Sequence, residues 1–327
     1  MNRRTFIILI VTIAVMSAIL ISNRQDFSGD EEQRVLPGLE SELNDITKLT
    51  LRTAGNRTAV TLIKGTERWA VAERGNYAAD VGKIRKNLIA LANATVIEEK
   101  TADPTLYARL GVEDIANENA TGVEVVIDGP SAHRIIVGKT GVRGNLAYAR
   151  KSEAAGSLLI EADLDLGAEP ADWLDRTIID MPSSDVSRVT TTHPDGETVE
   201  IEKAEKEASG FKLVNQPADT ELTYAGAADS IGAALAGLDF DDVAARAGID
   251  LTGTRPVVTR FETFDGLIVT ANTYAIDDKG YVGFEFAGED TATDNVAELD
   301  ARLGDWLFEI PSYKSDQLTR RMSDLLQ

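Results

Sequence analysis

The chain has 327 residues, of which 43% are apolar, no cysteine and a formal net charge of −21. The length predicts about two domains of about 100–200 residues each, and the lack of cysteine excludes disulfides, thiol catalysis and cysteine-ligated metals. Because so acidic a chain repels phosphate backbones, nucleic acid is not an expected partner. The charge indicates first of all a well-solvated surface.

The first segment predicts a membrane anchor. Eighteen uncharged residues run from Thr5 to Ser22, and a helix of that length spans about 27 Å, close to the thickness of a bilayer core. Arg3 and Arg4 precede the run, which places the N-terminus in the cytoplasm by the positive-inside rule. We expect residues 1–22 to form a cytoplasmic tip and one transmembrane helix in a bacterial inner membrane, with the bulk of the chain periplasmic.

Other interpretations of this segment stay open. A cleaved signal peptide, including one of the twin-arginine kind, would start with the same residues, and a buried core helix would have the same apolar pattern. No small-x-small cleavage site follows the run, which favours the retained anchor. Residues 23–44 are polar and contain Pro37-Gly38, which predicts a tether.

The remainder of the chain repeats itself. Residues 45–50 recur as 185–190. Tyr77 recurs as Tyr224, and each of these tyrosines is followed by four apolar residues at the same distances along the chain. Trp173 recurs as Trp306. The matches keep one order along the chain. We interpret them as two tandem copies of one unit, residues 45–182 and 183–327.

Local patterns predict antiparallel sheets with few helices. In the first copy, alternating apolar residues predict a hairpin around Gly55-Asn56 and a third strand at Trp69. A helical period begins after Asp80, a good N-cap, and strands resume after a helical turn that Gly111 closes. The second copy follows the same order, with helices predicted around 231–238 and at 314–326. The expected fold class is α+β.

The order of elements, together with several short motifs, resembles the bacterial DUF4340 family. The motifs are an aromatic-led helix at 77–91, Tyr-x-x-Leu-Gly at 107–111, Val-Gly-Lys at 137–139, a strand ending at Arg150 and Trp-x-x-Arg at 173–176. The second copy lacks Tyr-x-x-Leu-Gly and has Glu309 where Arg176 stands. The resemblance implies an envelope protein associated with ABC-type, gliding-motility-like transporter components. The family defines no catalytic or binding residues, so none is carried over.

No stretch of the sequence identifies a reaction. The fragment VGKT at 137–140 has His133 where a phosphate loop needs glycine, and we expect a turn there. Ser230 lies in a sequence like a nucleophile elbow, but both histidines precede it, contrary to the order in that fold. We expect His133 and His193 to be exposed, His193 in a turn. Among 54 acidic residues, carboxylate pairs suited to glycoside hydrolysis stay open.

Metal sites gain no support either. Two histidines 60 positions apart make a weak ligand pair. The acidic clusters at 161–165 and 239–242 lack the pattern of a calcium loop and indicate solvated loops. The tryptophans fit packing better than ligand stacking. We therefore predict no catalytic, cofactor-binding or metal-binding residues, and no cofactor.

The expected function is a non-enzymatic accessory or scaffold component of a membrane complex of the ABC-transporter kind, with a membrane-protein partner. An envelope ligand-binding module is the alternative, with its site between the two repeats, because domain interfaces are common places for pockets.

Overall fold

The computed structural model describes residues 33–277, 279–288 and 293–327. Within these ranges, no helix has the length and apolar character needed to cross a membrane. The predicted anchor, residues 1–22, and the first part of the predicted tether lie outside the described residues.

The first half of the chain forms a nine-stranded antiparallel sheet. Its strands are β1 (Lys48–Thr53), β2 (Arg57–Lys64), β3 (Trp69–Val71), β4 (Tyr77–Ala78), β5 (Thr95–Glu99), β6 (Val123–Asp128), β7 (Ala132–Thr140), β8 (Leu146–Lys151) and β9 (Ser157–Glu161). They lie side by side in the order β4-β3-β2-β1-β6-β7-β8-β9-β5. Most neighbours in the sheet are also neighbours along the chain, as hairpins require.

The second half forms an eight-stranded antiparallel sheet, and a two-stranded sheet joins the halves. The strands are β10 (Thr177–Ile179), β11 (Val186–Thr192), β12 (Thr198–Glu202), β13 (Lys212–Leu213), β14 (Leu238–Asp239), β15 (Asp242–Ala245), β16 (Val257–Thr263), β17 (Leu267–Ile276), β18 (Lys279–Gly288) and β19 (Trp306–Ile310). The eight follow the order β13-β12-β11-β16-β17-β18-β19-β15, while β10 pairs with β14.

Helices are few and mostly short. They are α1 (Leu39–Glu42), α2 (Val81–Asn93), α3 (Tyr107–Leu110), α4 (Asp229–Gly232), α5 (Thr293–Leu303) and α6 (Ser312–Leu318). The predicted cap of α2 is present, because the Asp80 carboxylate accepts a hydrogen bond from the Lys83 amide at 2.9 Å. The expected class, mostly antiparallel sheets with few helices, is confirmed.

The two sheets share one strand order. When β4 is set aside, each strand of the first sheet has a counterpart at the same place in the second. The register agrees: Leu49 and Val189, which the sequence aligns, each lie opposite apolar residues on both neighbouring strands. Trp173 and Trp306 do not fit this correspondence. Trp173 follows β9 in a short 3₁₀ turn, whereas Trp306 begins β19, the counterpart of β9.

Both predicted helices of the second half are shorter than expected. The first is reduced to the single turn of α4, which lies between two residues of positive φ, Gly226 and Gly237. The second ends at Leu318, and beyond it Glu197 in the β11–β12 connection accepts hydrogen bonds from the Met322 amide and from the Arg321 guanidinium. Helix α5 was not predicted, although three of its apolar residues lie at helical spacing, Val296, Leu299 and Leu303.

One apolar core runs through both halves. At the boundary, the ring of Tyr77 stands edge-on to Phe240, Trp306 and Phe308, with centroids 5.5, 5.0 and 5.9 Å away. An ion pair between Arg74 Nη2 and an Asp242 carboxylate oxygen at 2.8 Å lies beside this cluster.

The described part of the predicted tether, residues 33–44, packs on the first sheet. Val35, Leu36 and Leu39 are buried, and the Val35 amide donates to the Ala94 carbonyl at 2.9 Å. This part is folded rather than extended, because its apolar residues cover the end of α2.

Candidate functional site

The motif residues of the first half hold the fold together. Arg150 is buried, its Nε donates to the Val112 carbonyl at 2.9 Å, and its guanidinium lies 4.8 Å from the centre of the Tyr107 ring. The Tyr107 hydroxyl in turn donates to the Ala155 carbonyl. Tyr-x-x-Leu-Gly and the strand-ending arginine are therefore one structural unit that fixes α3 on the sheet.

The fragment VGKT belongs to the same unit. It lies at the end of strand β7, so the turn predicted there is wrong. A side chain at Gly138 would place its Cβ 2.3 Å from the Leu110 carbonyl oxygen, so only glycine permits this approach of α3. Lys139 Nζ donates to the carbonyls of Ala108 and Arg109, both at 3.1 Å. The lysine caps a helix end.

The Trp-x-x-Arg motif is also structural. Trp173 is fully buried and its indole N–H donates to the Gly167 carbonyl at 2.8 Å. Arg176 donates to the Ala171 carbonyl at 3.2 Å. The packing role expected for Trp173 agrees with this position.

The other candidate residues do not come together. The Ser230 hydroxyl donates to the Ala227 carbonyl at 3.2 Å, within its own helical turn. His133 lies in the first sheet, partly buried, with Nε2 3.3 Å from a Glu42 carboxylate oxygen. His193 lies at the end of a strand of the second sheet and is only 4% exposed, so the exposure predicted for it is wrong. Over the described ranges, no three metal-ligating side chains form a group.

The boundary between the sheets, where the alternative function places a ligand, is filled by aromatic rings. Tyr77, Phe240 and Phe308 contact one another there, and burial raises the pKa of Tyr77 to about 12. The three rings therefore fill this part of the boundary between the sheets.

The clearest candidate site is an apolar groove beside α2. We call it the α2 groove. It has a volume of about 240 Å³ and is lined by Leu43, Asn44, Lys64, Trp69, Val81, Ile84, Arg85, Leu88 and Ile89. Trp69, at the start of β3, forms its base, and Val81 and Ile89 project from the helix with 41% and 42% of their surface exposed.

Two cations stand at the α2 groove. Lys64 Nζ donates to the Asn44 carbonyl at 2.6 Å, and Arg85 is exposed on the helix. No carboxylate of the described residues forms an ion pair with either. In a chain of net charge −21, the groove thus combines an apolar surface with locally positive charge.

The lining contains no carboxylate, histidine or hydroxyl side chain, and Lys64 and Arg85 are its charged residues. A surface signal was present in the sequence, because Val81 and Ile89 make the apolar arc of the helix wider than the stripe that packs on the sheet.

A family model described as "Domain of unknown function (DUF4340)" matches residues 69–256. The chain belongs to the DUF4340 family. The match begins at Trp69, includes all of α2 and passes the predicted boundary at 182–183 into the second sheet. No curated protein and no solved structure matches this DUF4340 chain.

Proposed function

We propose that this DUF4340 protein is a non-enzymatic accessory or scaffold component of a membrane complex of the ABC-transporter kind. In this proposal it is anchored in a bacterial inner membrane by residues 1–22, with its folded part on the periplasmic side. The α2 groove is the observation that carries the proposal. In this proposal, the α2 groove binds a segment of another membrane protein in which an apolar side chain stands next to an acidic one.

The chemistry of the groove supports this partner. Full burial of an exposed aliphatic side chain contributes about 1.5–3 kcal/mol. Val81 and Ile89 are 41% and 42% exposed, so covering what remains of each contributes less than that. The net charge of the chain repels an acidic segment in general, whereas Lys64 and Arg85 attract one locally. The two cations therefore fix the register of the partner as well as its place.

The second half offers an internal comparison. The strand order and register support two tandem repeats, 45–182 and 183–327, in which Val81 and Ile89 correspond to Ala228 and Ala236. Ala228 is fully buried and Ala236 is half-buried, so the second half presents no large exposed side chains at these places. Their presence in the first repeat supports a binding role.

The counterpart of the groove is closed in the second repeat. Phe211 stands where the first repeat has Trp69, and Gly232 stands where it has Arg85. A Cβ at Gly232 would lie 2.1 Å from the Phe211 ring, so the ring occupies the space that the arginine leaves. The open groove is thus a property of one repeat.

Site-specific photocrosslinking tests the groove. A photoreactive residue at Ile89 in the full chain, at native expression, is expected to crosslink to one membrane protein. Val142, an exposed apolar residue on the β7–β8 turn, is the matched control and is expected to give no such product. Equal products from both positions, or none from Ile89, would contradict the role of the groove.

Charge reversal tests the stated chemistry. Arg85→Glu is expected to reduce the Ile89 crosslink strongly, whereas Arg143→Glu, on the exposed β7–β8 turn, leaves it unchanged. A crosslink that survives Arg85→Glu would rule out an acidic partner segment. Membrane placement is tested separately, because carbonate-washed membranes should retain the full-length chain. A shortened soluble form would support the signal-peptide interpretation instead.

The alternative, a ligand site between the repeats, gains no support from a boundary filled by aromatic side chains.

A further inference from the structure

A cavity lies in the second half, where the C-terminal segment crosses the ends of β11, β16 and β17. Its volume is about 390 Å³. The polar side chains that line it include His193, Arg255, Thr273, Ser315, Thr319 and Arg321. No aspartate or glutamate is among its lining residues, and Arg255 and Arg321 place positive charge on a wall that also contains apolar surface.

Thr273 has a buried hydroxyl group without a partner. The residue is 4% exposed, and its Oγ1 makes no hydrogen bond within the part of the chain that the structure describes. Such a group costs about 1–3 kcal/mol when nothing pairs with it. The register of the two sheets places Val137 at the corresponding position of the first half. The fold itself therefore accepts valine there, and the hydroxyl calls for another explanation.

Arg255 supplies a charge that can meet a ligand. It is exposed at the cavity and forms no ion pair with a described carboxylate. Arg321 is already held, at 2.9 Å from an Asp195 carboxylate oxygen and in contact with Glu197. Asp195 and Glu197 thus neutralise Arg321, and they leave the charge of Arg255 available.

His193 lies under the same segment. Its Nε2 is 3.3 Å from the Arg320 carbonyl oxygen, which can only accept, so Nε2 carries the hydrogen. This hydrogen bond fixes the imidazole against the C-terminal segment. The cavity wall is therefore built by residues that are far apart along the chain and held in place.

We propose that this cavity binds a small ligand that carries an oxyanion group, a phosphate or a carboxylate. The planar guanidinium of Arg255 suits two oxygens of such a group. The Thr273 hydroxyl lies just beneath the cavity wall, and a turn of its side chain toward the ligand gives it the partner that it lacks. The volume falls in the range of about 300–1,000 Å³ that is usual for small-molecule sites. This site is independent of the α2 groove.

Binding is measured with inorganic phosphate and with acetate, each against chloride at the same ionic strength. The full chain is used in mild detergent, with the urea midpoint and titration calorimetry as readouts. At least one of the two anions is expected to raise the midpoint. If only phosphate raises the midpoint, the ligand carries a phosphate group. If only acetate raises it, the ligand carries a carboxylate group. A midpoint that neither anion raises above chloride overturns the proposal.

Two variants separate a built site from general attraction of anions. Arg255→Gln is expected to lower the affinity for the anion that raises the midpoint by about tenfold or more. Arg143→Gln, at an exposed position, is expected to leave that affinity unchanged. Thr273→Val is expected to keep or raise the midpoint without ligand and to weaken binding about threefold to tenfold. Equal loss in both arginine variants, or full affinity in Thr273→Val, contradicts the site.

Discussion

Replacing Tyr77 by alanine is expected to destabilise both halves of the protein together. The side chain is buried at the boundary, and its ring meets three aromatic rings from the second half. A buried aromatic side chain removes about 150–250 Å² from water. At about 25 cal/mol per Å² this is about 4–6 kcal/mol, and comparable truncations in other cores cost about 3–5 kcal/mol. We expect a loss of about 4 kcal/mol in the free energy of unfolding.

The matched control is Tyr224, the residue that the sequence aligns with Tyr77. It is 59% exposed, and Tyr224→Ala should change the free energy of unfolding by less than about 0.5 kcal/mol. Urea unfolding of the full chain in mild detergent measures both values. The comparison separates the boundary contact from the general effect of losing a tyrosine.

Hydrogen exchange shows whether the two sheets respond as one unit. Because one apolar core runs through both halves, amides of β6–β8 and of β16–β18 should lose the same free energy of protection in Tyr77→Ala. Loss confined to one sheet would refute the shared core as the source of cooperativity. A total loss below about 1 kcal/mol would refute the area argument itself.

Three further outcomes follow from individual contacts and are measured by urea unfolding. Arg150→Lys should cost about 2–3 kcal/mol, because lysine cannot donate to the Val112 carbonyl and to the other carbonyls at once. Gly138→Ala should cost about 2–3 kcal/mol, because its Cβ meets the Leu110 carbonyl oxygen. Burial lowers the pKa of Lys314, so the folded state binds fewer protons than the unfolded state below about pH 10.4. Stability should therefore rise with pH through that alkaline window, and Lys314→Met should remove the rise.

Local patterns predicted the local elements well. The alternation in β1 and the helical period of α2 with its Asp80 cap depend on residues within one or two turns of each other. The class of the fold, mostly antiparallel sheets with few helices, follows from the same short-range information. The lengths of the two short helices of the second half, α4 and α6, could not be predicted from local patterns. They depend on the backbone conformation of nearby glycines and on contacts with residues far away in the sequence, such as Glu197.

Burial and sheet order depend on contacts that the local pattern does not contain. His193 stands in a turn-like sequence, yet a segment 127 positions further along covers it. The α2 groove was missed for the opposite reason. Val81 belongs to the helical period that begins after Asp80, and only the position of the helix on the sheet leaves its side chain 41% exposed. The tryptophan match illustrates the same limit, because one residue pair recurs at places that are not equivalent in the sheets.

The two halves share one strand order and differ at their surfaces in a complementary way. The first half has an open groove where Phe211 fills the second, and the cavity of the second half is lined by Thr273 at the position that Val137 occupies in the first. The shared strand order packs with either set of side chains, so the strand order itself requires neither feature. In the two proposals above, each half carries its own binding site. Ile89→Asp should therefore leave anion binding unchanged, and Arg255→Gln should leave the groove crosslink unchanged.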